Sequence, residues 1–478
     1  MKNFFGREDL LQMLKALWSK RVPSLVTCRG RRRVGKSTLI EEFARRTGAR
    51  LIKIEGLRPK DGFSNAEELA YFASSLSRQT GCDRTPPVDW LSAFARLDRE
   101  IPESGRTVVL LDEVSWMGHY DLTFPEVLKT AWDDLFSRHG KLVVVVCGSV
   151  STWIRKNVID NGAFAGRRSC DLVVPELPLS ECVKFWGPRV GRERAADILD
   201  VLSVTGGVPR YLEEVDPVLS ADENIRRMAY LPKSLLASDF TEMFRDVITG
   251  EPGFRADVLR ILSGAPKNVS EIAEGLGKKK NGHLTVALDE LEEAGFIAPD
   301  EGLNPETGRP RQQLCYRLSD NYTRFYLRYV EPVLTMIEKG GYSFASLEQL
   351  DGWNAVKGLA FENLIVNNFR ELLPRLGLER SLVISAAPFR KGVRGGGERG
   401  AQVDLLLQTN RSLYFVETKR QREIGRDVAD EMEEKVRRIR RPRGVAAKTA
   451  LVYSGELART VEADGYFDAV IDVRDLLF

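Results

Sequence analysis

Between an apolar run and a helix-forming stretch lie Gly30-Arg31-Arg32-Arg33-Val34-Gly35-Lys36-Ser37, and no other segment narrows the choice of fold so far. Ser24 to Cys28 reads as a buried strand, and Lys36 to Thr47 as a helix closed by Gly48. Two glycines at this spacing let the backbone curl until its N–H groups point inward, at a helix N-terminus that already favours anions. Lys36 then reaches the β- and γ-phosphates of a nucleoside triphosphate, and Ser37 ligates Mg2+. Gly30, Arg31, Arg32, Arg33, Val34, Gly35, Lys36, Ser37 and Thr38 are therefore the candidate cradle of ATP. A strand, loop and helix in this order call for an α/β fold built on a parallel sheet.

At 478 residues the chain is too long for one ordinary core, and roughly three domains are expected. A net charge of +3 sets up no global field for nucleic acid, so any basic site must be local. The six cysteines form no C-x-x-C pair, which argues against a zinc knuckle or a disulfide framework and points to a reducing cytoplasm. Charges at Lys2, Arg7, Glu8, Asp9 and Lys15 leave no signal-peptide core, and no stretch approaches ~18 uninterrupted apolar residues. A cytoplasmic protein with no membrane partner is expected. None of the three histidines follows residue 283, so chemistry in the last third must rest on carboxylates and lysine.

Thr107 to Glu113 is an apolar run ending in two acids, the pattern of a central parallel strand buried on both faces. At its carboxyl end Asp112 is placed to hold magnesium through water, and Glu113 to orient and polarise the attacking water. Lys141 to Cys147 reads as a third strand, and Ser149 beyond it is the candidate γ-phosphate sensor, unless Gly148 and Ser149 simply turn the chain. Arg167 is a candidate arginine finger, acting in cis or from a neighbouring copy in a homo-oligomer. No N-K-x-D motif for guanine occurs, which favours ATP over GTP.

The ordered series Phe4-Phe5-Gly6-Arg7-Glu8, GRRRVGKST, LLDE, the Cys147-Gly148-Ser149 strand end, Gly166-Arg167-Arg168 and Thr205-Gly206-Gly207-Val208-Pro209-Arg210-Tyr211-Leu212 resembles the archaeal-type ATPases. These belong to the AAA+/STAND side of the P-loop NTPases and also occur in bacteria. The resemblance covers about the first 330 residues. It implies that Gly6 and Arg7 lie near the adenine, and that the turn containing Pro209 begins a helical lid that senses nucleotide state. An ATPase core over 1–165 and a lid over 166–250 are expected.

Over 251–335 three short helices, Phe254 to Leu262, Glu271 to Leu276 with Ser270 as cap, and Leu284 to Ala294, precede a hairpin. That is the order of a winged helix. Lys278, Lys279 and Lys280, with Arg309 and Arg311 in the wing, would face phosphate if DNA were bound. Winged helices also serve as protein docking modules, and short lysine runs are commonly just solvated.

After a linker over 336–355, residues 356–478 read as a helix (Lys357 to Leu373), three strands (Ser381 to Ser385, Gln402 to Leu407, Leu413 to Lys419), a helix (Arg426 to Arg441) and a strand (Thr449 to Tyr453). This αβββαβ order, with Asp404 on the second strand and Glu417-x-Lys419 on the third, resembles the restriction-endonuclease-like PD-(D/E)XK superfamily, with Val403 in place of the proline. Alternation puts Glu417 and Lys419 on one face, where Asp404 can converge with them. Asp404 and Glu417 would hold Mg2+, Lys419 would position the attacking water, and Glu362 would assist a second metal.

In the basic run from Lys435 to Arg443, the pairs Glu431–Lys435, Glu433–Arg437 and Glu434–Arg438 stabilise a helix with no ligand. Arg440, Arg441 and Arg443, with Arg390, Lys391, Arg394 and Arg399, could instead line a groove for phosphate. The expected protein binds and hydrolyses ATP with Mg2+ and gates or drives a DNA-directed nuclease-like domain. The rival is an ATP-dependent signalling or scaffold switch whose last domain keeps that fold but only binds DNA or protein.

Overall fold

The computed structural model describes residues 4–20, 22–149, 151–247, 252–312, 314–391 and 400–478. They divide into two compact units, Met1–Glu176 with Asp246–Ile248, and Leu177–Arg245 with Thr249–Phe478. The first is an α/β fold on a five-stranded parallel sheet of β1 (Ser24–Arg29), β2 (Arg50–Glu55), β3 (Thr107–Asp112), β4 (Leu142–Cys147) and β5 (Arg168–Val173), in the order β2-β3-β4-β1-β5. Residues 166–176 thus complete the sheet through β5.

Uninterrupted apolar strands arise because both faces are covered. Val109, Leu111, Val144 and Val146 pack on one side with Phe72, Trp90, Phe94 and Phe124, while Val108, Leu110, Val143 and Val145 pack on the other with Leu14, Leu39 and Phe43. Alternation along each strand divides the side chains between the two cores. The register Leu111↔Val146, Cys28↔Cys147 and Glu55↔Asp112 brings the carboxyl ends of β2, β3, β4 and β1 level. Loops leaving those ends therefore share one rim, where doubly wound sheets bind ligands.

Behind that rim Glu68, only 2% exposed, accepts the Leu57 N–H at 3.1 Å with each carboxylate oxygen. Burial pushes its carboxyl up from 4.5 to about 7. With the folded-state pKa above the unfolded one, its contribution is complete below about pH 4.5 and is lost as pH rises through about 7. Glu68→Gln keeps an acceptor and removes the charge. It is expected to stabilise the protein by on the order of 2 kcal/mol at about pH 8 and by almost nothing at about pH 4.5. Urea midpoints at the two pH values check this; an equal shift at both would exclude the buried charge as the cause.

In the second unit the helix Ala195–Thr205 is buried along nearly its whole length. Glu371 accepts from the N–H groups of Leu179 (2.9 Å) and Ser180 (3.3 Å) and from the Ser180 hydroxyl, and Tyr322 donates to the Leu236 carbonyl at 2.8 Å. Helices Pro252–Gly264, Val269–Gly275 and Gly282–Glu293 accompany an antiparallel sheet of β6 (Lys267–Asn268), β7 (Ile297–Pro299) and β8 (Cys315–Leu318), in the order β6-β8-β7. Asn268, not Ser270, caps the second helix: its side chain accepts from the Ser270 and Glu271 N–H groups while Glu271 reaches back to the Asn268 N–H at 2.7 Å.

The last sheet runs β13-β12-β11-β10-β9, from β9 (Ser385–Lys391), β10 (Ala401–Gln408), β11 (Ser412–Ile424), β12 (Ala446–Leu457) and β13 (Ala469–Asp472). Strand β10 pairs antiparallel with both β9 and β11, and β11, β12 and β13 are parallel. The strand expected over Ser381 to Ser385 forms later. Residues Arg380–Leu382 make a single 3-10 turn with Leu382 and Ile384 exposed, whereas Phe389 pairs with Val403 and both enter the core. Among the described residues no helix is long and apolar enough to cross a membrane.

Candidate functional site

Arg29 ends β1, and Gly30 follows at φ 142°, where the Val174 carbonyl oxygen leaves no room for a Cβ. Gly35, at φ 83°, opens the helix Lys36–Thr47. Within the loop Lys36 donates to the carbonyls of Gly30 (3.0 Å) and Arg31 (3.1 Å). Ser37 donates to an Asp112 oxygen at 2.6 Å, so the two candidate magnesium ligands already meet. The donor set fits a triphosphate with its magnesium: backbone N–H groups at a helix N-terminus, one ammonium, one hydroxyl and one carboxylate. Bound there, the metal would neutralise charge on the phosphates.

Glu113 follows Asp112 at φ 49°, and its carboxylate accepts from both the N–H (3.0 Å) and the hydroxyl (2.8 Å) of Ser149. The ends of β3 and β4 are thereby joined. Gly6 stands at φ 69° and Arg7 at φ 64°, with Arg7 donating to the carbonyls of Pro175 (3.1 Å) and Val34. Of the four described non-glycine residues with positive φ, Arg33 lies in this loop and Arg7 and Glu113 lie beside it, and such strain gathers at working sites. Arg167 is engaged elsewhere: it holds Asp133 through two bonds of 2.6 and 2.9 Å, and this keeps the Asp133 carboxyl down to about 2. Pro209 is the first residue of the short helix Pro209–Leu212 in the second unit. Lys53 on β2 escaped the sequence reading. Its ammonium lies 2.9 Å from Glu41 and 3.4 Å from Asp112; burial works to lower its pKa, but those carboxylates outweigh it and hold the charge.

In the C-terminal sheet the β10–β11 ladder runs from Gln408↔Leu413 to Leu405↔Val416. Beyond it, Asp404 accepts from both the N–H and the hydroxyl of Thr418 at 2.9 Å, taking the place of ladder bonding. Glu417, only 4% exposed, is met by Lys419 at 3.3 Å on one oxygen and by Lys435 at 2.6 Å on the other. Burial first, then the charge of Asp404, pushes its carboxyl up, against the two lysines. Glu362, on the helix Trp353–Asn367, rises to about 7 for the same two reasons and touches Arg390 at 3.4 Å. Asp404, Glu417, Lys419 and Glu362 thus share one electrostatic neighbourhood. Among the described residues no group of three or more His, Cys, Asp or Glu is arranged to hold a metal ion.

Several basic residues are placed differently from the sequence expectation. Lys435 pairs with Glu417, not Glu431, and Glu431 instead accepts from Lys419 at 2.9 Å; the Glu434–Arg438 pair forms. Arg390 contacts Gln402, Glu362 and Asp300, and Arg311 donates to the Asp300 carbonyl and covers the Phe389 ring, so neither is a bare phosphate ligand. Arg394 and Arg399 lie outside the described residues. Arg309, Lys279, Lys280, Arg440, Arg441 and Arg443 are exposed, and Lys278 sits over the Phe254 ring.

Residues 4–215 match the model of an ATPase domain found predominantly in Archaea. They form an archaeal-type ATPase domain. Over 449 residues the chain is 23% identical to an uncharacterised protein of Methanocaldococcus jannaschii, with 89% of each covered, so this similarity extends well past the ATPase domain. The Walker-type ATPase of Pyrococcus abyssi superposes with a TM-score of 0.50 at 18% identity, over 68% of this chain and 96% of that one. Its likeness concerns the fold. Lys36, Ser37, Asp112, Glu113 and Ser149 all lie within the residues matched to the archaeal-type ATPase domain.

Proposed function

We propose that the archaeal-type ATPase domain hydrolyses ATP and that its turnover governs a DNA-directed, metal-dependent nuclease-like domain. In the ATPase, Lys36 would bind phosphate, Ser37 and Asp112 would hold Mg2+, and Glu113 would orient the attacking water, released from Ser149 when nucleotide is in place. The observation carrying the second half is the meeting of Asp404, Glu417 and Lys419 on adjacent strands, with Lys419 3.3 Å from Glu417. Two carboxylates and a lysine on adjacent strands would suit hydrolysis of a phosphodiester: the acids would hold the metal and the lysine would steady the water or the developing charge. Exposed Arg440, Arg441 and Arg443 supply positive charge for a nucleic-acid backbone.

One observation favours the rival, a domain that binds DNA or protein without cutting. Both Glu417 oxygens are in ion pairs, and Lys435 must leave before a metal can take its place. Cleavage of duplex and single-stranded DNA with Mg2+ or Mn2+, with and without ATP, decides between them. Asp404→Ala and Lys419→Ala should each lower cleavage by at least about 100-fold. If all three proteins cut alike, or none cuts under any condition, the nuclease reading fails and the rival stands.

A further inference from the structure

Lys419 faces the acids, and the next residue on β11 turns the other way. Arg420 is 7% exposed in its side chain and donates to three groups on the helix Ala195–Thr205: the Leu199 carbonyl at 3.2 Å, the Ser203 hydroxyl at 2.6 Å and the Asp200 carboxylate at 2.6 Å. A buried guanidinium is costly unless its donors are met, and here a carbonyl, a hydroxyl and an acid meet it from one helix. The same helix runs directly into the Gly206–Leu212 turn. Its last residue, Thr205, bonds the Gly206 carbonyl at 2.9 Å, and Gly207 accepts the Leu177 N–H at 2.8 Å. On the strand side, the β11–β12 pairing is regular up to Arg420↔Ser454 and slips before Glu423↔Glu456. Arg420 therefore holds β11 at the last regular pair before an irregularity, a kind of place where a strand's side chains are re-aimed.

We infer that Arg420 is a positioning residue that carries displacement of the helix Ala195–Thr205 into β11, and so sets Lys419 and Glu417 according to nucleotide state. This rests on the reading of Gly206–Leu212 as a nucleotide-sensing turn and of the acid–lysine cluster as the working site. Its three bonds, to Leu199, Asp200 and Ser203, span about one turn of one helix, so a slide of one residue's rise, about 1.5 Å, would break or remake them together.

Hydrogen exchange on the full chain, with and without Mg2+ and ATP, tests it. In the parent, ATP should change exchange both in 195–205 and in 417–421, and Lys36→Ala should abolish both responses. Removing the guanidinium alone would strand Asp200, so the informative variant is Arg420→Gln with Asp200→Asn, which replaces the ion pair by two amides. With ATP affinity within about 2-fold of the parent, the helix response should persist and the β11 response should fall at least about 5-fold. Arg420→Lys, a single point of contact, should fall between. An undiminished β11 response in the double variant, or a parent β11 that ignores ATP, would overturn the inference. A parent that never cuts DNA, yet whose β11 follows ATP through Arg420, keeps the inference and removes only the nuclease reading.

Discussion

Lys36→Ala is expected to weaken ATP binding by roughly 100-fold, equivalent to about 2.7 kcal/mol. Lys36 is 6% exposed, and its ammonium bonds the loop carbonyls at 3.0 and 3.1 Å, so it is already aimed inward. Exchanging those carbonyls for phosphate oxygens turns ion–dipole bonds into charge-assisted pairs, the strong class of hydrogen bond. Fold stability should change far less, because Gly30, Gly35 and the β1 register shape the loop independently of the lysine. Calorimetric titration with a slowly hydrolysed ATP analogue, beside a thermal melt, separates the two. Undiminished affinity in a folded variant would remove Lys36 from the phosphate site.

Glu113→Gln should leave nucleotide affinity within a few-fold and lower kcat by roughly 10²–10⁴-fold. An amide oxygen can still accept from the Ser149 N–H and hydroxyl, so the bridge between β3 and β4 survives. What it cannot do is act as an anionic partner for water. Single-turnover phosphate release measures this; unchanged turnover would assign the water to another group.

Local signals carried the ATPase domain. The Ser24 to Cys28 run, the glycine spacing and the Gly48 stop are each decided within about a dozen residues, and the strand and helix formed there. Long-range partners were what sequence could not supply. Helical i,i+4 grammar paired Lys435 with Glu431 because it sees only its own helix, while tertiary packing offered Glu417, more buried and more in need of a cation. Arg390 and Arg311 looked like phosphate ligands because the groups they satisfy, Asp300, Glu362 and Phe389, lie far along the chain. Lys53 sits inside an ordinary strand pattern, and its proximity to Asp112 comes from the β2–β3 register.

The capping of Leu179 and Ser180 by Glu371 bears on how such a chain can be recombined. A fusion that replaced everything after residue 250 would leave those N–H groups unanswered and strip Asp200 of its guanidinium. The segment that could travel intact between genes begins at Leu177, well inside the region matched to the ATPase domain. The helix Ala195–Thr205 and the C-terminal sheet that holds it through Arg420 would therefore be inherited together.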